Sequence, residues 1–308
     1  MISRLKTLTG VLPACAAVIT AGALLLVAPT DAEAQRRRRR APADTSEAAG
    51  PQPTVRDVAT IAARLESGTT DEVREAIDLL SVIDHASVVP HLATLLRSGR
   101  SDEVTDRALQ ALRGLAHPSG IDVLTEFTRH RRPRARRLAY QALSSIEDRR
   151  IPALLERGLS DSDRSVRALC ARTLGDIGAS GSVDTLFVAF DRGVVEAAIS
   201  IGKLGDSAAI TRFNEHLGNM PLSVMLSGYS QFVRRNDISD DVKIQILGRL
   251  GDISGDMVRV FMQRYLDTFS SSRRASRNRV RQVVLDTLRR IPGHAGSARG
   301  RTVSAGSE

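Results

Sequence analysis

The sequence predicts an all-α fold, an α-solenoid of about seven stacked helix pairs, and three observations carry that prediction. The first is composition: seven Phe, three Tyr and no Trp among 308 residues, only 3% aromatic, with Ala, Leu and Arg prominent. A β-sandwich or barrel of this length uses more aromatic and β-branched side chains, whereas Ala, Leu and Arg favour helices. The second is self-similarity along the chain. The third is that the offsets inside each unit are helical rather than alternating.

The reference unit ends in Leu174-Gly175-Asp176-Ile177-Gly178, preceded by Val166-Arg167. The same frame recurs at Leu112 with Val104, at Leu143 with Ala135-Arg136, at Leu250-Gly251-Asp252-Ile253 with Val242-Lys243, and at Leu288 with Val280-Arg281. Leu80 follows Val73-Arg74, and Ile201-Gly202-Lys203-Leu204-Gly205 has a degenerate start. Anchor spacings are 32, 31, 31, 27, 49 and 38 residues.

Four residues before each anchor stands a small or aliphatic side chain: Ala76, Ala108, Ala139, Cys170, Ala197, Ile246, Val284. A second apolar set follows, with Val89, Ile121, Ile151, Val183, Ile210 and Val258, then Leu92, Leu124, Leu155, Leu186, Phe213 and Phe261. Each unit therefore reads as two short amphipathic helices joined by a tight turn. Gly175, Gly178, Gly202, Gly205 and Gly251 are expected to supply turn conformations. Pro90 and Pro152 fit the starts of second helices, and Asp71, Asp102, Asp161 and Asp240 stand where N-caps are expected.

This frame resembles the HEAT family, specifically the short HEAT-like repeats first described in phycobilisome lyases, with their D-x-x-V-R … A … L-G-x-I-G pattern. The resemblance runs from about Val55 to Ile291 and implies an armadillo-like superhelix whose repeats bury their apolar faces against one another. It implies no one function, because such repeats serve unrelated roles.

Around this body, residues 54–292, the ends read differently. Residues 1–34 carry Arg4 and Lys6, an apolar stretch from Val11 to Pro29 and Ala32-Glu33-Ala34, the three-part pattern of a secretory signal peptide. A periplasmic or secreted product is the expectation. Five arginines, Arg36 to Arg40, directly after the apolar run oppose the positive-inside rule, so an inner-membrane anchored chain is the alternative. Residues 35–53 read as a disordered Arg/Pro/Ala linker and residues 293–308 as a disordered tail. The net charge of +9 sits at these ends; residues 41–272 carry −3. After cleavage only Cys170 remains, so no internal disulfide supports the fold.

The 49-residue spacing before Leu250 is read as an extra helix near 221–235, with Met225, Tyr229 and Phe232 on one stripe. As ordinary core that stripe needs no partner; as an interruption of the superhelix it offers a Met/aromatic surface to a peptide. Arg131, Arg132, Arg134 and Arg136, within a cluster that also holds Arg129 and Arg137, are the candidate steering patch for an acidic partner.

No catalytic constellation is legible. Six histidines, His85, His91, His117, His130, His216 and His294, form no H-E-x-x-H motif, and no cysteine cluster or phosphate loop is present. HEAT-like iron hydroxylases use His-Glu dipeptides, which this chain lacks, having only Glu215-His216. Cys170 occupies a core slot rather than a bilin attachment point. Asp161 or Asp163 with Arg167, and Asp240 or Asp241 with Lys243, read as structural ion pairs. A DNA-gripping array, as in DNA-alkylation-repeat glycosylases, is disfavoured by the body's charge and its few stacking residues. The expectation is thus a non-enzymatic scaffold or adaptor for a protein or peptide in the cell envelope, without cofactor or metal. The alternative is a basic nucleic-acid-binding protein held in the cytoplasm by an uncleaved anchor; a bilin lyase or hydroxylase is disfavoured.

Overall fold

The computed structural model describes residues 52–253, 255–269 and 278–291, so the signal-peptide, Arg-run and tail expectations lie outside it. Fifteen α-helices and no β-sheet occur among the described residues. They are α1 (Val58–Ser67), α2 (Thr70–Ser81), α3 (Val88–Arg97), α4 (Asp102–Leu115), α5 (Ile121–Phe127), α6 (Pro133–Ser144), α7 (Ile151–Gly158) and α8 (Arg164–Asp176). Then come α9 (Val183–Asp191), α10 (Ala197–Leu204), α11 (Ser207–Asn214), α12 (Leu222–Arg234), α13 (Asp240–Ile253), α14 (Asp256–Leu266) and α15 (Arg279–Arg290).

They stack in two rows. In the first, α2, α4, α6, α8, α10 and α12 each pack on the next, and α13 packs on α15. The second row holds α1, α3, α5, α7, α9, α11 and α14, of which α1, α3, α5, α7, α9 and α14 pack on the first-row helix that follows them. The α-solenoid expected from the repeat frame is the observed architecture.

The frame residues explain why. Ala76, Ala108, Ala139, Cys170, Ala197 and Val284 are fully buried, as are the anchors Leu80, Leu143, Leu174, Ile201 and Leu250. Leu288, in the last described helix, is only half-buried. Burying a leucine or phenylalanine of this kind contributes about 1.5–3 kcal/mol, and the repeat places such residues once per turn along every interface.

Helix starts are fixed by side chains one or two residues from the expected aspartates. Thr69 and Glu72 form a reciprocal capping box on α2, Ser101 caps α4, and Asp163 accepts from the Ser165 and Val166 N–H groups of α8. Asp71, Asp102 and Asp240 lie inside the first turns instead, where a carboxylate still meets the positive end of the helix dipole. Pro133, Pro152 and Pro90 occupy the first, second and third positions of α6, α7 and α3.

Only Gly178 of the five expected turn glycines has positive φ, at 73°. Gly175, Gly202 and Gly251 lie inside helices, and their role is close approach: a Cβ there would run into Ser200, the Gly228 carbonyl and Thr287 respectively. The backbones of α10 and α12 touch at Gly202 and Gly228.

That contact revises the reading of the long spacing. The helix expected at 221–235 is present as α12, but it does not interrupt the array. Phe232 is an anchor one repeat length after Ile201, and Gly228 fills the small slot four residues before it. What the array lacks is a second-row helix between α12 and α13, two first-row helices that follow each other directly.

Candidate docking groove

The sequence-predicted site residues are not brought together. Arg136 forms a bidentate pair with Asp161 at 2.7 and 2.8 Å, with both side chains about nine-tenths buried, and donates to the His130 and Arg131 carbonyls. Arg132 lies 2.9 Å from Asp102 and from Asp106, and Arg134 lies 2.5 Å from Asp106. Of the four, Arg131 alone is outside any ion pair among the described residues. The cluster is therefore mostly consumed in holding α4, α6 and α8 together, and little free charge is left for steering.

The same linkage recurs along the array. Arg107 binds Asp78, Arg97 binds Glu126, Arg150 approaches Asp122, Lys203 binds Asp176 and Arg212 binds Asp184. Each joins neighbouring repeats. Other arginines finish helices: Arg100 donates to the Leu65 and Glu66 carbonyls, and Arg235 to those of Gly202 and Gly205. A guanidinium suits the unpaired carbonyls and negative dipole at a helix C-terminus.

Met225, Tyr229 and Phe232 are 0–1% exposed and belong to the core, so they offer no surface to a partner. Tyr229 and Phe232 pack edge-on against Phe213 at 5.2 and 5.8 Å, and the Tyr229 hydroxyl donates to Asn214 Oδ1 at 2.6 Å.

The opposite face of α12 is where a surface opens. Ser223, Ser227, Ser230 and Arg234 line one wall of a groove of about 520 Å³; Asp256, Met257, Val260 and Arg264 of α14 line the other. Leu226, Val233 and Tyr265 are buried along it, and Phe261 is half-buried. The serines keep this wall shallow. Ser227 and Ser230 turn their hydroxyls back to the carbonyls of Val224 and Ser227 at 2.6 and 2.7 Å, so they present little unmet polarity. Met257 and Val260 are 53% and 48% exposed, and the Arg234 and Arg264 guanidiniums join no ion pair among the described residues. Sequence inspection missed this site. Its signal was the serine stripe on α12, Ser223, Ser227 and Ser230, opposite Met257 and Val260 of α14.

A second cavity, of about 440 Å³, shares Val233, Arg234 and Tyr265 with the groove and continues past Asn236, Asp240, Lys243, Thr268 and Asn278. The Tyr265 hydroxyl donates to the Val233 carbonyl at 3.0 Å and pins α14 to α12 there.

The remaining chemical candidates are structural. Cys170 is fully buried beside Tyr140 and Gly158, and burial, reinforced by the Asp161 charge, pushes its thiol pKa well up. A thiol so held is a poor nucleophile. His85 and His117 use Nδ1 to accept from Ser87 and Ser119 N–H at 3.1 and 3.2 Å, closing the turns into α3 and α5. His130 stacks on Phe127 at 5.5 Å; burial and then the Arg132 and Arg131 charges lower its pKa. His216 packs against Phe190 at 5.0 Å. No group of three or more His, Cys, Asp or Glu side chains that could hold a metal occurs among the described residues. Nor is any described helix long and apolar enough to cross a membrane.

Comparison with known proteins agrees with this architecture. Residues 89–174 match the family of HEAT repeats. No curated protein matches the chain. Among solved structures, an engineered protein is 18% identical with a TM-score of 0.42, covering 76% of this chain and 68% of its own. The complex of CpcE and CpcF of phycocyanin lyase from Nostoc sp. PCC7120 is 16% identical with a TM-score of 0.41, covering 79% of this chain and 97% of its own. A computationally designed armadillo repeat protein for modular peptide recognition is 14% identical with a TM-score of 0.35, covering 75% and 99%. With its two helix rows and its recurring anchor frame, the described body of this chain is an α-solenoid, and residues 89–174 of it match HEAT repeats.

Proposed function

We propose that this chain is a non-enzymatic scaffold that docks one amphipathic helix of a protein partner, flanked by acidic residues, in the groove between α12 and α14. The observation that carries this reading is the groove itself: exposed Met257 and Val260 where the second row of helices skips a member. Apolar side chains at that place gain about 25 cal/mol per Å² when a helix covers them. Arg234 and Arg264 on the two walls supply the charge that an acidic flank would meet, which favours association rate and register.

A photo-cross-linking side chain at Val260 in the full-length protein tests the reading. Cross-linked peptides should carry an apolar stripe at helical spacing with Asp or Glu beside it, and Met257→Asp should abolish the cross-link. Cross-links only to a second copy of this chain, or to its own residues 11–29, would replace the proposed partner with a self-contact.

We also propose export, on the strength of the N-terminal pattern. A native mature chain beginning at Gln35 supports it; an intact Met1 with the body in the cytoplasm overturns it.

A further inference from the structure

The five methionines of this chain differ in what surrounds them. Met225 and Met262 are fully buried, Met220 is half-buried against the core, and Met1 lies outside the described residues. Met257 is 53% exposed on the α14 wall of the groove, where it stands with Val260. Methionine is the apolar side chain that a hydroperoxide converts reversibly into a polar one, and the reaction follows access to the sulfur. Among the described methionines, exposure therefore singles out Met257. In the reaction the thioether sulfur donates an electron pair to one peroxide oxygen. The S–O bond forms as the O–O bond breaks, and the leaving oxygen takes the proton of the transferred one and departs as water. Sulfur is oxidised and the peroxide reduced; a methionine sulfoxide reductase reverses the change at the expense of thiols.

The groove gives that chemistry a consequence. A sulfoxide oxygen is a strong acceptor, and burying it under an apolar helix is unfavourable unless a donor answers it. The facing serines are poor candidates, because Ser227 and Ser230 already donate their hydroxyls to the Val224 and Ser227 carbonyls. Arg234 and Arg264 line the same groove and join no ion pair among the described residues. An oxidised Met257 therefore either keeps its water or draws on one of these guanidiniums. The first opposes burial of the wall, and the second competes with the acidic flank of a docked helix.

We propose that Met257 is a reversible oxidation site, and that its sulfoxide closes the groove to an apolar helix. The effect on docking rests on the docking reading; the oxidation site itself does not.

Hydrogen peroxide treatment of the full-length protein, followed by tryptic mass spectrometry, tests the site. Arg259 separates Met257 from Met262 in the digest, and Arg234 separates Met220 and Met225 from both. In the folded chain Met257 should gain its oxygen about tenfold faster than Met225 and Met262, and in denaturant at a similar rate. Equal rates in the folded chain overturn the site, whatever the groove binds. A synthetic amphipathic Leu/Ala helix with Glu at both ends then tests the effect on docking. The oxidised protein should bind this probe about tenfold more weakly, and reductase treatment should restore binding. Met257→Leu should bind the probe normally and be indifferent to peroxide. Saturating probe should in turn slow the oxidation of Met257 and leave that of Met220 unchanged. An oxidised chain that binds the probe as tightly as the reduced one overturns the switch and leaves docking intact. Selective oxidation of Met257 in a chain that binds no probe would mean that the oxidation site stands and the docking reading fails.

Discussion

The repeats up to Asp176 and those after it are built from the same frame but held together differently. In the first region the interfaces are Ala, Leu, Ile and Val, with ion pairs laid across each junction: Asp78 to Arg107, Glu126 to Arg97, Asp106 to Arg134, Asp161 to Arg136. In the second the aromatic residues gather. Phe187, Phe190, Phe213, Tyr229 and Phe232 are all buried, and Phe213 is the hub, touching Phe190, Tyr229 and Phe232. Glycines at the anchor also bring the helices closer there, at Gly202 against Gly228 and at Gly251 against Thr287. Regular spacing allows charges to meet across every junction. Irregular spacing thins that ladder to pairs such as Asp184 with Arg212 and Asp241 with Arg279, and relies more on aromatic volume and backbone contact.

The largest effect should come from the aromatic hub. Phe213→Ala should lose about 3–5 kcal/mol in denaturant unfolding, and native-state hydrogen exchange should show the loss in α9–α12 rather than α2–α6. A loss spread evenly over the array would mean that the two regions unfold as one unit. Next, Gly228→Ala should destabilise by about 1–3 kcal/mol, because its methyl meets Phe213 and the Ala198 carbonyl. Gly120→Ala in the regular region, where the nearest atoms lie at 3.8 and 3.9 Å, should stay within about 0.5 kcal/mol. Similar losses at both positions would refute the difference in packing.

Asp161→Ala should cost about 1–3 kcal/mol by leaving the buried Arg136 guanidinium without its bidentate carboxylate. Acid should separate the regions as well. Glu72, Glu126, Asp148 and Asp163 are held below their ordinary pKa: Glu72 by the Thr69 N–H and hydroxyl, Glu126 by Arg97, Asp148 by Arg150 and Asp163 by Ser165. Carboxylates with depressed folded-state values stabilise above their unfolded pKa, and that stability is lost as pH falls through the folded value. Between about pH 5 and pH 3, exchange protection should therefore fall earlier in α2–α8 than in α9–α12. The smallest effect is that of one exposed ladder pair: Arg107→Ala should change stability by less than about 1 kcal/mol.

The sequence made the regular region legible because its signal is repeated. Small residues at 76, 108, 139 and 170, with Leu80, Leu112, Leu143 and Leu174 four later, identify the same buried slot several times over. Cys170 could be assigned to core rather than chemistry on that ground alone. The α12 repeat escaped because Phe232-Val233-Arg234 replaces Leu-Gly-Asp, although Gly228 kept the small slot. The cationic cluster misled for a different reason. Arg132, Arg134 and Arg136 stand side by side in sequence, but their partners Asp102, Asp106 and Asp161 lie more than twenty residues away and become visible only once the repeats stack. The groove depends on a helix that is missing, and spacing alone registers a missing helix as surplus length.

The across-junction pairs have a consequence for how such a chain can change length. Asp78 meets Arg107, and one unit later Asp106 meets Arg134, so each unit offers the next the same kind of docking edge. Excising one whole unit between these points rejoins an aspartate to an arginine, and duplicating one inserts another copy of the same joint. No comparable splice exists beyond Ile201, where the fit between Gly202 and Gly228 is particular to that one pair of helices. Deleting or duplicating one whole unit should therefore be tolerated in the amino-terminal region and should disrupt packing around Gly202 and Gly228.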